Sequence, residues 1–169
     1  MIEQLTDIPR TIVLTERGPV DAVVGYRSWL VKAVDGVARL QSVYQVCTWP
    51  IEGPLEAQGR LNFSLLPDEH SCTIRKERIR DFSAEEPYGI YAWDDPYGTY
   101  AWYELHWCLA TAPVSGEVAL WGKIIQHERG YRAQYARPLS LFVTSDTGPA
   151  RCLTELAALA YDIPLVRLP

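Results

Sequence analysis

Two apolar runs rich in β-branched residues occupy the N-terminal part of the chain. The run at 22–34 is followed by an Asp-Gly pair, and a second apolar run extends over 37–49. An Asp-Gly pair between two β-branched runs favours a type I′ turn, because both central residues of that turn need positive φ. The pattern therefore predicts a β-hairpin in which Val34 faces Val37.

A doubled nonapeptide, Pro-Tyr-Gly-x-Tyr-Ala-Trp-x-acid, occupies 87–95 and 96–104. Because nine is odd, the two copies would point to opposite faces of one continuous strand. A hairpin that turns around Asp94, Asp95 and Tyr97 removes this conflict. It pairs Trp93 with Tyr100 and brings four aromatic side chains onto one face: Tyr91, Trp93, Tyr100 and Trp102. We expect this cluster in the core, as is usual in small domains, whereas an exposed cluster would be a binding patch.

The C-terminal half predicts further strands and one helix. Apolar residues on both faces of 117–127 indicate a central strand. LSLFV at 139–143 is another candidate strand, or a second limb of the preceding strand after a break at Pro138. A two-residue turn at Arg129 and Gly130 would place His127 opposite Arg132 and Glu128 opposite Tyr131.

A helix is predicted at about 149–160, with Pro149 suited to its first turn. Its apolar stripe at helical spacing consists of Leu153, Leu156, Ala157 and Ala160. The pattern at 59–86 does not define an element. The fold class is therefore α+β, mainly antiparallel β, with a compact barrel- or sandwich-like sheet and a C-terminal helix. We expect one β-rich domain over 1–169.

Composition and charge narrow the function classes. The chain has 169 residues, 48% hydrophobic and 22% charged, which is typical of a globular domain and not of a disordered one. The net charge of −5 argues against a broad nucleic-acid surface. A local basic cluster is the exception and leaves nucleic acid as a minor alternative partner: Arg75, Lys76, Arg78 and Arg80.

The cellular compartment is predicted from what the sequence lacks. The N-terminus shows no signal-peptide pattern, and no stretch approaches the roughly 20 apolar residues of a membrane span. The cysteines at 47, 72, 108 and 152 are widely scattered, which favours reduced thiols over a disulfide framework. We therefore expect a cytoplasmic protein without a membrane partner.

Several blocks resemble a family of uncharacterised small proteins from actinobacteria and their phages. They are YRSWLV at 26–31, WPIEGPLEA at 49–57, GIYAW at 89–93 and EVALWGKIIQHERGYRAQYARP at 117–138. Together they cover about the middle two-thirds of the chain. The resemblance implies a shared β-rich fold and no particular activity.

The same resemblance bears on metal binding. Relatives carry a His and a Cys-x-Cys just before the Gly-Ile-Tyr-Ala sequence, a pattern that looks like a zinc or redox site. Here Glu86 and Tyr88 stand at the cysteine positions, and His70 and Cys72 alone cannot supply four tetrahedral ligands. Asp94 and Asp95 fall short of a calcium loop. We expect no metal and no cofactor.

Catalysis has few candidate residues. The best triplet is His127, Glu128 and Arg129, but consecutive strand residues point to alternate faces, so the three do not converge. A satisfied polar rim explains the triplet at least as well as catalysis. No phosphate loop, zincin helix or nucleophile elbow is present.

We therefore expect a non-catalytic protein-interaction module, and the resemblance suggests a phage-derived accessory protein that modulates a host protein. The alternatives are a nucleic-acid-associated accessory protein and a small-molecule enzyme that uses His127. The predicted binding residues are Tyr91, Trp93, Asp94, Asp95, Tyr97, Tyr100, Trp102, His127 and Arg129.

Overall fold

The fold was determined from a computed structural model, which describes residues 13–43, 47–57, 89–97, 99, 112–143 and 149–167. In chain order, its elements begin with strand β1 (Val13–Arg17) and a 3-10 turn (Pro19–Asp21). Strands β2 (Val23–Val34), β3 (Val37–Ser42), β4 (Leu55–Glu56) and β5 (Ile90–Trp93) follow. The C-terminal half contains β6 (Ala112–His127), β7 (Gly130–Val143), helix α1 (Pro149–Tyr161) and β8 (Leu165–Arg167).

The sheet is mostly antiparallel and its strand pairing closes into a ring. Strand β6 is central, with β1 and β2 along one edge and β7 along the other. Strand β5 lies between β2 and β7, so the pairing runs from β6 through β2, β5 and β7 back to β6. The predicted fold class, a mainly antiparallel sheet with a C-terminal helix, is confirmed.

The β2–β3 hairpin has the predicted register. Val34 pairs with Val37 across a turn made by Asp35 and Gly36. Both turn residues have positive φ, 51° and 78°, as a type I′ turn requires. Local turn chemistry therefore determines this register.

The β6–β7 hairpin turns one residue earlier than predicted. His127 pairs with Gly130, so Glu128 and Arg129 form the turn, and Arg132 lies opposite Ile125 instead of opposite His127. The predicted pairing of Glu128 with Tyr131 is likewise wrong. Gly130 belongs to β7 and lies where the neighbouring strand β5 comes very close. A Cβ on Gly130 would overlap the carbonyl oxygen of Ala92. The glycine thus serves this close approach and not the turn.

Strand β7 continues without interruption past Pro138, which pairs with Val118 at a register shift in β6. The candidate strand at 139–143 is therefore the second half of β7.

Beyond α1, the C-terminal segment adds β8 parallel to β7, an arrangement that the sequence pattern did not indicate. Pro164, the residue before β8, is already bonded to β7: its carbonyl accepts a hydrogen bond from the N–H of Leu141, 3.0 Å long.

The apolar core lies between the sheet and α1. Trp29 and Trp49 are fully buried and meet edge to face, with ring centroids 5.4 Å apart. Across the core, α1 contributes Ala157 and Ala158, and Tyr161 is also buried. An edge-to-face pair adds about 0.5–1.5 kcal/mol beyond the area it buries.

The helix is found where it was predicted, and three residues of its predicted stripe lie at the core: Ala157 is buried, and Leu153 and Ala160 pack against the buried cluster. The fourth residue, Leu156, is the exception. Leu156 is 48% exposed, whereas Thr154, Ala157, Ala158 and Tyr161 are buried. Alanines at the contact let α1 approach the sheet closely, and this orientation brings the Tyr161 hydroxyl to backbone partners in the core. None of the described helices combines the length and apolar character needed to cross a membrane.

Candidate functional site

A cavity of about 510 Å³ opens where β2, β5 and the β6–β7 turn meet. Strands β2 and β5 supply one part of its wall, and the end of β6, the turn and the start of β7 supply another. The described residues that line it are Arg27, Ser28, Ser42, Val43, Gly89, Tyr91, Ala92, Trp93, His127, Arg129, Gly130 and Tyr131.

Two glycines bring these strands together. A Cβ on Gly25 of β2 would lie 2.9 Å from the Cβ of Ala92, and a Cβ on Gly130 would overlap the Ala92 carbonyl. The two glycines lie on opposite sides of β5, which pairs with both β2 and β7. Their missing side chains therefore allow β5 to sit between its neighbours and to present Tyr91 and Trp93 beside His127.

Arg27 lies on the core-facing side of β2, in line with the buried Gly25 and Trp29. Its guanidinium donates hydrogen bonds to the carbonyl of Tyr91 and to Oγ of Ser42, the latter at 3.4 Å. It also lies over the ring of Trp49, 5.4 Å from the centroid. A half-buried cation is thereby held at the cavity wall by neutral oxygens and an aromatic face.

Two more arginines pack on the aromatic residues of β5. The guanidinium carbon of Arg129 lies 5.4 Å from the ring centroid of Trp93. That of Arg132 lies 6.0 Å from the ring centroid of Tyr91, and Arg132 is 2% exposed. Such cation–π contacts contribute about 0.5–2 kcal/mol each, the larger values where the cation is desolvated.

His127 ends β6 at the cavity. Its ring stacks with Tyr91, with centroids 6.4 Å apart and planes inclined by 24°. Its Nε2 is buried and makes no hydrogen bond among the described residues. Desolvation, and then the positive charge of Arg132, lower the pKa of His127 below its ordinary value of 6.5. The imidazole is therefore neutral at neutral pH.

The cavity serines are engaged in structural hydrogen bonds. Oγ of Ser28 lies 2.9 Å from Oγ of Ser115 and donates to the carbonyl of Thr99 at 3.3 Å. Oγ of Ser42 accepts from the indole Nε1 of Trp49 at 3.0 Å. Neither serine is hydrogen-bonded to His127, so the described part of the site contains no serine–histidine pair of the kind that generates a nucleophile.

The structure brings together part of the predicted binding set. Four predicted residues line the cavity: Tyr91, Trp93, His127 and Arg129. The neighbouring turn carries three exposed ones: Asp94, Asp95 and Tyr97. Three groups of positions lie outside the described residues. They are two predicted binding residues (Tyr100 and Trp102), the basic cluster (Arg75, Lys76, Arg78 and Arg80), and the four positions compared with the zinc or redox pattern (His70, Cys72, Glu86 and Tyr88).

The expectation of a buried aromatic cluster is wrong for its described members. Tyr91 is 48% exposed and Trp93 is half-buried, while Ala92 between them faces the core. The ladder neighbours of Trp93 are Tyr26 on one side and Gly130 on the other. Both edges of the strand are thus occupied at Trp93, and its predicted partner Tyr100 lies outside the described residues.

The predicted turn after Trp93 is present as a bend followed by a 3-10 turn. Oδ1 of Asp95 accepts a hydrogen bond from the N–H of Tyr97 at 2.8 Å, and Oγ1 of Thr99 donates to the carbonyl of Pro96 at 2.6 Å. Thr99 is fully buried. The turn is therefore anchored at its end, while the Tyr97 side chain remains 71% exposed.

Several cavity residues were not identified from the sequence. Arg27 carried a usable signal, because it is a cation at a core-facing position between Gly25 and Trp29 in an alternating strand. Ser42 and Tyr131 carried none, since each is an ordinary strand residue that the ring closure places beside β5.

Among the described residues, no three His, Cys, Asp or Glu side chains are grouped so that they could hold a metal ion.

No protein-family model, curated protein or solved structure matches the chain. The resemblance to actinobacterial and phage proteins therefore stays a prediction, and the function must be inferred from the cavity itself.

Proposed function

We propose that this chain is a binding protein that holds a small molecule in the cavity between β2, β5 and the β6–β7 turn without transforming it. The observation that carries this proposal is the convergence of Tyr91, Trp93, His127 and Arg129 with Arg27 around one cavity. Its volume lies within the range of about 300–1,000 Å³ that is typical of ligand pockets, and aromatic rings with a few polar groups are the usual lining.

The contacts of the polar groups favour binding over catalysis. Ser28 and Ser42 are committed to structural hydrogen bonds. The lowered pKa of His127 favours the neutral form that a general base needs, but its Nε2 is buried and no described residue is hydrogen-bonded to it. Cys152 on α1 is exposed and not disulfide-bonded, which supports a reducing compartment such as the cytoplasm.

The proposal is tested by titrating a fragment library into the ¹⁵N-labelled full chain. The indole N–H signal of Trp93, assigned by its loss in Trp93→Phe, reports on the cavity. The indole of Trp121, which stacks on Tyr135 instead of lining the cavity, is the internal control. We expect several fragments to shift the Trp93 signal and leave the Trp121 signal in place.

A matched pair of variants locates the binding. Tyr91→Ala removes a ring from the cavity wall, whereas Tyr97→Ala removes an even more exposed ring from the adjacent turn. Fragment affinity should fall in the first variant and remain in the second. Equal effects of both substitutions, or no fragment that shifts the Trp93 signal, would refute a ligand cavity here.

A second candidate function is protein interaction through the turn at 94–97. It is favoured by Tyr97, a large ring held outward on an anchored turn with Asp94 and Asp95 exposed beside it. The resemblance to phage proteins is what points to a host protein as the partner. In a pull-down with host lysate, Tyr97→Ala should abolish capture of such a partner and Tyr91→Ala should not.

A further inference from the structure

We infer that the ligand of this cavity combines a flat aromatic ring with an anionic oxygen group, and that Arg129 binds the anion. The inference rests on the proposed function, since it specifies the ligand of the same cavity. It follows from three features of the cavity: the positive charges on its wall, the contacts that hold each arginine, and the aromatic rings on which arginines are packed.

The cavity is positively charged in a protein that is negatively charged overall. Arg27 and Arg129 line it, and none of the described lining residues is acidic. Arg132 lies behind the wall, close enough to lower the pKa of His127. The chain as a whole carries a net charge of −5. The local excess of cations therefore opposes the global charge and favours an anion at this place.

Arg129 has the geometry of an anion-binding group. It is exposed and pairs with no carboxylate in the described part of the chain, and its only described side-chain contact is the face of Trp93. A guanidinium held over a ring face still has N–H groups that can donate two parallel bonds to a carboxylate or phosphate. Trp93 thus orients Arg129 before a ligand arrives.

Arg27 plays a different part. Its N–H groups already donate to the carbonyl of Tyr91 and to Oγ of Ser42. It therefore adds positive potential to the wall and does not provide the main hydrogen bonds to the anion. This difference places the anion at the Arg129 end of the cavity.

The aromatic wall suits a neutral flat ring and disfavours a cationic ligand. Aromatic cages that bind cations need ring faces that are available to the cation. Here Arg129 already covers a face of Trp93, and Arg132 covers a face of Tyr91. A ligand cation would also meet the repulsion of these arginines. A ring that packs against Tyr91, Trp93 and Tyr131 gains offset or edge contacts without that cost.

The test uses four probes of similar size: benzoate, benzamide, benzylamine and cyclohexanecarboxylate. Each is titrated into the ¹⁵N-labelled full chain, with the Trp93 indole signal as the readout. We expect benzoate to bind at least about tenfold more tightly than benzamide, which corresponds to the lower end of the contribution of a hydrogen bond to a charged group. Benzylamine should be the weakest, and cyclohexanecarboxylate should bind more weakly than benzoate because it lacks a flat ring.

Two charge-matched variants complete the test. Arg129→Gln should lower benzoate affinity about tenfold and leave benzamide affinity within about twofold. Arg137→Gln makes the same charge change at an exposed position of β7 that does not line the cavity, and should leave both affinities within about twofold.

The outcomes separate the two claims. Benzamide or benzylamine binding as tightly as benzoate, or Arg129→Gln affecting benzoate and benzamide equally, would overturn the anionic-ligand inference while leaving a ligand cavity. A Trp93 signal that responds to none of these probes and to no fragment of the library would overturn the proposed function itself.

Discussion

The hydroxyl of Tyr161 donates a hydrogen bond to the carbonyl oxygen of Trp49, with the two oxygens 2.7 Å apart. The same hydroxyl accepts a hydrogen bond from the backbone N–H of Leu40 at 3.0 Å. One side chain at the end of α1 thus satisfies two backbone groups that belong to β3 and to the segment following it. The contact joins parts of the chain that are more than a hundred residues apart.

Tyr161→Phe should destabilise the fold by about 1–3 kcal/mol, because it leaves the buried N–H of Leu40 and the carbonyl of Trp49 without this partner. The measurement is the free energy of unfolding from urea denaturation. Tyr26→Phe is the matched control, since the Tyr26 hydroxyl makes no hydrogen bond among the described residues, and it should change stability by less than about 0.5 kcal/mol. Equal losses in both variants would contradict a specific role for Tyr161.

Alkaline pH provides a second test of the same contact. Burial raises the pKa of Tyr161 above its ordinary value of 10.0, although the hydrogen bond from Leu40 and the nearby Arg39 act in the opposite direction. Above pH 10.0 the unfolded chain loses this proton before the folded chain does, so stability falls as pH rises. Unfolding curves between neutral and alkaline pH should therefore show a steeper loss for the wild type than for Tyr161→Phe.

Gly130→Ala should weaken the junction of β5 and β7. The new methyl group would overlap the Ala92 carbonyl oxygen, and a backbone atom cannot move aside as a flexible side chain can. We expect a loss of about 1–3 kcal/mol in the free energy of unfolding.

Gly18→Ala is the control for this substitution. Gly18 has an ordinary φ of −79°, and beyond its chain neighbours no atom lies within 4 Å of the place that a Cβ would occupy. It should be close to neutral. A tolerated alanine at Gly130 would show that β5 does not pack against β7 as closely as described.

His127 should make the fold less stable in mild acid. Because desolvation and Arg132 lower its folded pKa below 6.5, the unfolded chain takes up a proton in a pH range where the folded chain does not. Stability therefore falls as pH drops below 6.5. His127→Gln should flatten this part of the stability profile, measured by thermal unfolding between neutral and mildly acidic pH. Superimposable profiles for wild type and variant would exclude His127 as the source.

The orientation of α1 is tested by two neighbouring residues. Leu156→Ala shortens a side chain that is 48% exposed and should cost less than about 1 kcal/mol. Ala157→Leu inserts a larger side chain at a fully buried position and should cost about 1–3 kcal/mol. A loss of more than about 2 kcal/mol from Leu156→Ala would instead mean that Leu156 is buried, as the sequence pattern predicted.

Four residues of the candidate site could be predicted from the sequence, but the cavity that they share could not. The aromatic repeat and the His-Glu-Arg triplet directed attention to Tyr91, Trp93, His127 and Arg129. Their shared cavity could not be foreseen, because it depends on β5 lying between β2 and β7. That arrangement joins segments separated by tens of residues, and hydrophobic alternation within each strand does not encode which strands become neighbours.

The two hairpins show where local information suffices. In β2–β3 the Asp-Gly pair alone sets the register, because positive φ at both turn residues has few other solutions. In β6–β7, Gly130 was predicted to be part of the turn, but it is instead the residue at which the backbone of β5 comes closest to β7. A glycine records that a side chain is not tolerated, but not whether the reason is a turn or a neighbouring backbone.

The sequence by itself determined the longer strand-forming segments, the position of the helix and the Asp35–Gly36 turn, because each depends on interactions between residues that are close along the chain. Only the tertiary structure decided that Arg27 and Arg129 share a cavity, that Leu156 faces outward and that Tyr161 bonds to Leu40 and Trp49. These relationships depend on which distant segments pack together. Packing of that kind is selected by shape and by the pairing of buried polar groups across the whole fold.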